Sequence, residues 1–186
     1  GIVVPFSCAA WIHSIHRGVD VARAAGLAHV AGSTGNTSEK AVAALHGLSE
    51  QALIEMGDFV GGFLKYLRAH PVARVTVAGG IAKMVKLAQG LTDLHSKRGS
   101  VDHAFLADVA AKAGATPATV TRIAAANSAL EVLEIARADG LDIGTPLAAA
   151  AWTTAAGLLT GADIALEIAI FDRSGGLVAT TGFRPV

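Results

Sequence analysis

The sequence predicts an α/β domain, with helices packed around a small, mostly parallel sheet and an antiparallel hairpin at the C-terminus. Three observations predict it. His29-Val30-Ala31-Gly32 and Arg74-Val75-Thr76-Val77-Ala78 are short apolar or β-branched runs, each leading into a loop of small residues. Helical periodicity lies between them, the pattern of a parallel crossover. Near the end, a partly alternating stretch, a polar turn and a second strand-like run follow one another. The 186 residues suit one compact domain, and a hydrophobic fraction of 52% with positive mean hydropathy suits a well-filled core.

Taken in order, Gly1-Ile2-Val3-Val4-Pro5-Phe6 is too short to assign and fits the end of a strand begun upstream. Ser7 stands at an N-cap position before a helix over 8–25, in which Trp11, Ile15, Val19 and Ala22 fall at helical spacing and Gly26 supplies the stop. The strand at His29 ends in the loop Ser33-Thr34-Gly35-Asn36-Thr37, and Ser38 with Glu39 begins a helix to about His46. Ser49 and Gln51 open a short helix. Asp58 begins a clearer one, whose Phe59, Phe63, Leu64 and Leu67 share a face, and Pro71 ends it. The strand at Arg74 runs into Gly79-Gly80, and a helix follows to Gly90. Residues 101–139 read as three helical pieces, broken at Gly114 and near Asn127, and a long helix after Pro146 ends near Gly161. The hairpin comprises 163–170, the turn Asp172-Arg173-Ser174-Gly175-Gly176, and 177–181.

Composition narrows the function. Lys+Arg and Asp+Glu both number 15, so the formal charge is zero and the chain lacks a field that would draw polyanions; nucleic acid and acidic membrane surfaces are poor partners. Cys8 is the lone cysteine, which forbids an internal disulfide and an all-cysteine metal site and suits a reducing compartment, the cytoplasm. The start at Gly1, without a basic leader or cleavable apolar segment, reads as a fragment of something longer. Residues 143–162 carry no charge and approach the length of a membrane span, yet they are mostly Ala, Gly and Thr, and Pro146 marks a helix start; a buried helix is the better reading.

Three loops hold the candidate chemistry. In Thr34-Gly35-Asn36-Thr37-Ser38-Glu39, hydroxyl and amide groups gather at a strand-to-helix junction, suited to an anion or a ligand hydroxyl; the blander reading is a turn with its cap. In Gly79-Gly80-Ile81-Ala82-Lys83, glycines after a strand let a ligand approach the backbone at a helix N-terminus, and Lys83 and Lys86 can overlook the same place, although a bare Gly-Gly falls short of a dinucleotide fingerprint. In Asp93-Leu94-His95-Ser96-Lys97-Arg98, His95 with Asp93 forms a candidate oriented imidazole. No spaced His pair or Cys cluster accompanies it, so no metal site is expected. His13 and His16, three apart on the first helix, read as surface or satisfied histidines, and Cys8 as a small buried residue.

One competing reading is a DNA-binding regulator. Residues 106–123, with the Gly114 turn and Thr119-Val120-Thr121-Arg122, look like a helix-turn-helix. Between Val101 and Ser128 the only cations are Lys112 and Arg122, balanced by Asp102 and Asp108, too few for phosphate neutralisation.

Taken singly, no loop names a reaction; their order and wording do. Thr34-Gly35-Asn36-Thr37-Ser38-Glu39, then Glu55-Met56-Gly57-Asp58-Phe59-Val60-Gly61, then Gly79-Gly80-Ile81-Ala82-Lys83-Met84-Val85-Lys86-Leu87-Ala88-Gln89-Gly90, then Asp93-Leu94-His95-Ser96 resembles the CbiD family of cobalt-precorrin C1-methyltransferases. The resemblance covers essentially the whole chain, 1–186, as the C-terminal α/β domain of such a protein, with the family's N-terminal portion absent; Ala82 stands where members usually carry Gly. It implies methyl transfer from S-adenosylmethionine to carbon 1 of cobalt-precorrin-5B in cobalamin biosynthesis, giving cobalt-precorrin-6A. Under it, Thr34, Gly35, Asn36, Ser38, Glu39, Gly79 and Gly80 are the expected cofactor loops. Lys83, Lys86, Ser96, Lys97 and Arg98 are the expected grip on the substrate's carboxylates, and His95 and Asp93 the candidates at the macrocycle edge. All are expected along one common rim. A non-catalytic corrinoid-precursor-binding fragment is the alternative, and a homo-oligomer is left open.

Overall fold

The computed structural model describes residues 7–186. The opening segment read as the end of a strand lies outside them. Among the described residues the elements are α1 (Cys8–Ala24), β1 (His29–Ser33), α2 (Asn36–His46), a 3-10 turn (Glu50–Ala52), β2 (Leu53–Glu55), α3 (Val60–Ala69), β3 (Arg74–Gly80), α4 (Ile81–Ala88), α5 (His103–Lys112), α6 (Pro117–Ala124), α7 (Ala129–Ala138), α8 (Gly144–Leu159), β4 (Ala165–Phe171), β5 (Leu177–Thr180) and β6 (Arg184–Pro185). Several boundaries follow from local chemistry. Ser7 accepts from the Ala10 N–H at the head of α1, Asp102 caps α5, Thr116 with Pro117 opens α6, and Ser128 caps α7. Gly47 and Gly114 take positive φ where α2 and α5 end.

The sheet runs β2-β1-β3-β4-β5, with β6 also on β4. The pairs β1–β2, β1–β3 and β3–β4 are parallel, and β4–β5 and β4–β6 are antiparallel. This is the expected α/β architecture with its terminal hairpin. Strand pleating divides the core: Val30, Val75, Val77, Leu166, Ile168 and Ile170 face the larger cluster, which includes α1, α3, α4 and α8. Ala31, Ala78, Ala169 and Phe171 face the smaller one under α2, built around Val42. Small residues on that face let α2 lie close to the sheet.

Four expectations are corrected. The short helix expected from Ser49 is a single 3-10 turn leading into β2, a three-residue edge strand whose bonds come from β1 and which is too brief to show alternation. Helix α2 starts at Asn36, two residues before Ser38. Helix α3 starts at Val60 behind an N-cap Phe59, and α8 starts at Gly144, ahead of Pro146, with Asp142 accepting from the Thr145 N–H. The uncharged stretch is α8, packed through Leu147, Ala148, Ala151, Ala155 and Leu159; no helix among the described residues is long and apolar enough to cross a membrane.

Candidate functional site

The order of strands decides where a site can form. The chain leaves β1 for β2 on one side and leaves β3 for β4 on the other, so a crevice opens between the carboxyl ends of β1 and β3. A cavity of about 400 Å³ occupies that position, lined by the loops after β1, β3 and β4 and by the start of α7.

Three helix N-termini converge on it. Helix α2 begins behind Gly35 and α4 behind Gly80, and neither has a side-chain cap; α7 begins behind Ser128, whose hydroxyl accepts from the Glu131 N–H. The first N–H groups of α2 and α4 thus lack a side-chain partner and carry the positive end of each helix dipole. At both Gly35 and Gly80 a Cβ would meet nothing within 4 Å, so the backbone borders open space. Gly79 differs: a Cβ there would sit 2.6 Å from Met84 Sδ and 2.9 Å from Thr34 Oγ1. It is glycine for packing, and it brings the two loops together.

The remaining members of the first loop have defined places. Thr34 is held by its N–H on the Ala78 carbonyl at 3.0 Å. Ser38 is buried and donates to the Gly35 carbonyl at 2.8 Å, which fixes the loop. Glu39 accepts from the buried Ser33 hydroxyl at 3.4 Å. Asn36 is exposed at the cavity wall.

Sequence reasoning missed the far wall, Ser128, Leu130, Phe171, Asp172 and Arg173. Asp172 accepts from the Ser174 hydroxyl at 2.7 Å, the Gly176 N–H at 2.9 Å and Arg137 at 3.2 Å. The Ser174 hydroxyl first, then these other donors, hold its carboxyl down at about 2 against the cost of burial. The Asp-Arg-Ser-Gly-Gly wording signals only the turn; that the turn borders a cavity depends on β4 ending beside β3.

The third loop is elsewhere. Asp93, His95, Lys97 and Arg98 line a second cavity of about 820 Å³ with Cys8, Ile12, Phe59, Lys65 and Thr92. The single rim expected to join Asn36, Gly80 and His95 is therefore two cavities, with Lys83 on the wall of the first. The imidazole of His95 is not oriented by Asp93, which instead accepts from the His95 backbone N–H at 3.2 Å. His95 Nδ1 accepts from the Lys97 N–H at 3.2 Å, which leaves the proton of the neutral ring on Nε2. Arg98 pairs with Asp93 at 3.5 Å, and Ser96 is exposed. Cys8, expected to be buried, is exposed on this wall.

Lysines 83 and 86 bridge the two places. The Lys83 ammonium binds Asp58 and lies 3.3 Å from the Leu94 carbonyl. Lys86 is 7% exposed, and its ammonium donates to the same carbonyl at 3.1 Å.

Among the described residues no group of three or more His, Cys, Asp or Glu side chains is placed to hold a metal ion. His16 stacks on Tyr66 at 4.0 Å, with His13 beyond it. In the segment that resembles a helix-turn-helix, Arg122 and Thr119 are both bonded to Asp139.

Comparison with known proteins agrees with the four ordered motifs. Residues 93–182 match the family model described as CbiD, C-terminal domain. The chain is 59% identical, over 97% of its length and 50% of the relative's, to a protein of Methylorubrum extorquens named cobalt-precorrin-5B C(1)-methyltransferase. Proteins of the same name from Bradyrhizobium sp. and Agrobacterium fabrum are 61% and 55% identical, over 96% and 100% of this chain and 47% and 49% of theirs. The chain thus spans about half the length of these relatives. Their name implies a methyl donor and a cobalt-precorrin acceptor for those proteins. No solved structure matches the chain.

Proposed function

We propose that this chain is the C-terminal α/β domain of a cytoplasmic cobalt-precorrin-5B C(1)-methyltransferase of the CbiD family, and that it carries the S-adenosylmethionine cavity of that enzyme. The observation that carries the reading is the crevice between β1 and β3, where two helix N-termini without side-chain caps face open space beside glycines 35 and 80. The sulfonium of S-adenosylmethionine supplies an electrophilic methyl group.

The rest is the work of the chain's own residues. The N–H groups at the heads of α2 and α4 suit a carboxylate, because the dipole and the free donors act on it together. Gly35 and Gly80 let a ligand approach the backbone where a side chain would intrude. Thr34 and Asn36 offer hydroxyl and amide partners along the same wall. Lys65, His95, Lys97 and Arg98 on the second cavity suit the carboxylates of a corrin precursor. Methyl transfer from a sulfonium is an in-line displacement, so holding donor and acceptor in line can account for much of the rate.

Coverage of only half the relatives' length favours one further reading, that the chain binds both ligands but turns over only with the remainder of the enzyme. Calorimetric titration with S-adenosylhomocysteine tests the cofactor placement. Saturable one-site binding is expected, and heats no larger than dilution would end the reading. Turnover measured with and without the other half then separates the enzyme from the binding fragment.

A further inference from the structure

Lys86 has no obvious reason to be a lysine if only packing is considered. It sits on α4 among Met84, Val85 and Leu87, all fully buried, and is itself 7% exposed. A methionine would fill the same space without removing an ammonium from water. What lysine adds is one directed bond, Nζ to the Leu94 carbonyl at 3.1 Å.

Leu94 is held from every side. Its N–H donates to the Asp58 carbonyl at 2.9 Å, its carbonyl accepts from Lys83 and Lys86, and its side chain is fully buried. Two residues back, the Thr92 carbonyl accepts from the Gly61 N–H at 2.8 Å. From this anchor the chain turns out into Asp93, His95, Lys97 and Arg98, the wall of the second cavity. Lys83 meanwhile lines the first cavity and binds Asp58. The two lysines, one helical turn apart, therefore tie the helix whose head borders the first cavity to the loop that shapes the second.

We infer that Lys86 is a positioning residue: through the Leu94 carbonyl its buried ammonium sets the 92–98 loop against α4, so that the acidic-ligand wall of one cavity is held in register with the helix that opens onto the other. This rests on the function proposed above. Lys86 then contacts no ligand itself, in contrast to its expected place in the substrate grip, and shapes the surface on which Lys97 and Arg98 act.

The test is Lys86→Met in the full chain, read three ways. Among the described residues the Lys86 ammonium forms no ion pair with a carboxylate, and exchanging it for an apolar side chain of similar volume costs packing little, so the midpoint of thermal unfolding is expected to hold or rise. Amide hydrogen exchange in a peptide spanning 91–99 is expected to quicken about tenfold or more, as befits loss of a charge-assisted hydrogen bond, while peptides of β3 and α8 keep their rates. Uroporphyrin, used as a polycarboxylate tetrapyrrole probe and followed by its Soret band, is expected to bind about tenfold more weakly, with S-adenosylhomocysteine affinity unchanged. Unaltered exchange across 91–99 overturns the inference whether or not either ligand binds. A fall in thermal midpoint with uniformly faster exchange overturns it as well, because Lys86 would then merely hold the fold. Failure of the unmodified chain to bind S-adenosylhomocysteine refutes the proposed function separately, leaving the exchange result to judge the lysine.

Discussion

Gly80→Asp separates the claim that α4 offers its N-terminus to a ligand from the claim that Gly80 is there for the fold. Gly80 has φ −71° and ψ 156°, an extended conformation that an aspartate N-cap adopts without strain. Nothing lies within 4 Å of the Cβ it would acquire, and no side chain caps α4. The new carboxylate can therefore accept from the first turn and complement the dipole, worth about 0.5–1 kcal/mol, or about 1–4 °C in thermal midpoint for a chain of this size. The same carboxylate takes the donors meant for the ligand and repels an anion, so S-adenosylhomocysteine affinity should fall about tenfold or more, the equivalent of about 1.4 kcal/mol. Gly79→Ala is the counterpart. Its Cβ would meet Met84 Sδ at 2.6 Å and Thr34 Oγ1 at 2.9 Å, an overpacking that costs about 1–3 kcal/mol and lowers the midpoint by about 2–12 °C. Calorimetric titration and differential scanning calorimetry on both variants read the two effects. A more stable Gly80→Asp chain that binds as tightly as before would refute the reasoning, since the α4 N-terminus would then not be the anion seat.

Other outcomes concern a polar cluster under α2, far along the strands from the cavity. Glu167, 3% exposed, accepts from His46 at 2.6 Å and from the Thr76 and Thr180 hydroxyls at 2.8 Å each. Glu167→Ala strands these donors and should cost about 2–4 kcal/mol in urea unfolding; a loss below the error of the extrapolation would show the cluster to be dispensable. Because the Thr76 proton goes to Glu167, Thr76 can only accept from His29 Nε2 at 2.9 Å. Burial first, and then the neighbouring His46, lower the His29 pKa from 6.5 to about 4. Below pH 6.5 the unfolded chain takes up this proton and the folded one does not, so stability should decline as pH falls from about 6.5 to about 4 and level off below. His29→Gln should flatten that part of the profile, and an unchanged slope in the variant would assign the pH dependence to another group.

Much of the architecture was legible because it is local. Caps at Ser7, Asp102, Thr116 and Ser128 act within one turn, and Gly26, Gly47 and Gly114 take positive φ where helices stop. The β-branched run at Arg74 and the Asp172 turn likewise announce themselves within a few residues. Where the reading failed, the information was distant. Leu53-Ile54-Glu55 is a strand because β1 supplies its partner, and a three-residue segment has no period to detect. His46 and Glu167 lie 121 residues apart, and nothing in either neighbourhood announces the pair.

The amino-acid sequence by itself determined most of the element types, β2 excepted, together with the small-residue loops after β1 and β3 and the resemblance to the CbiD proteins, since each depends on residues a few positions apart or on their order. Only the tertiary structure decided which loops meet. Strand order opened the crevice between β1 and β3, the register of β4 against β3 brought Asp172 to its far wall, and the packing of α7 on α4 brought the head of α7 there. The same packing sent His95 to a separate cavity and buried Lys86, which its spacing from Lys83 had set to overlook the same site. Spacing on a helix fixes which side chains share a face, but what that face meets is set by elements packed from elsewhere in the chain.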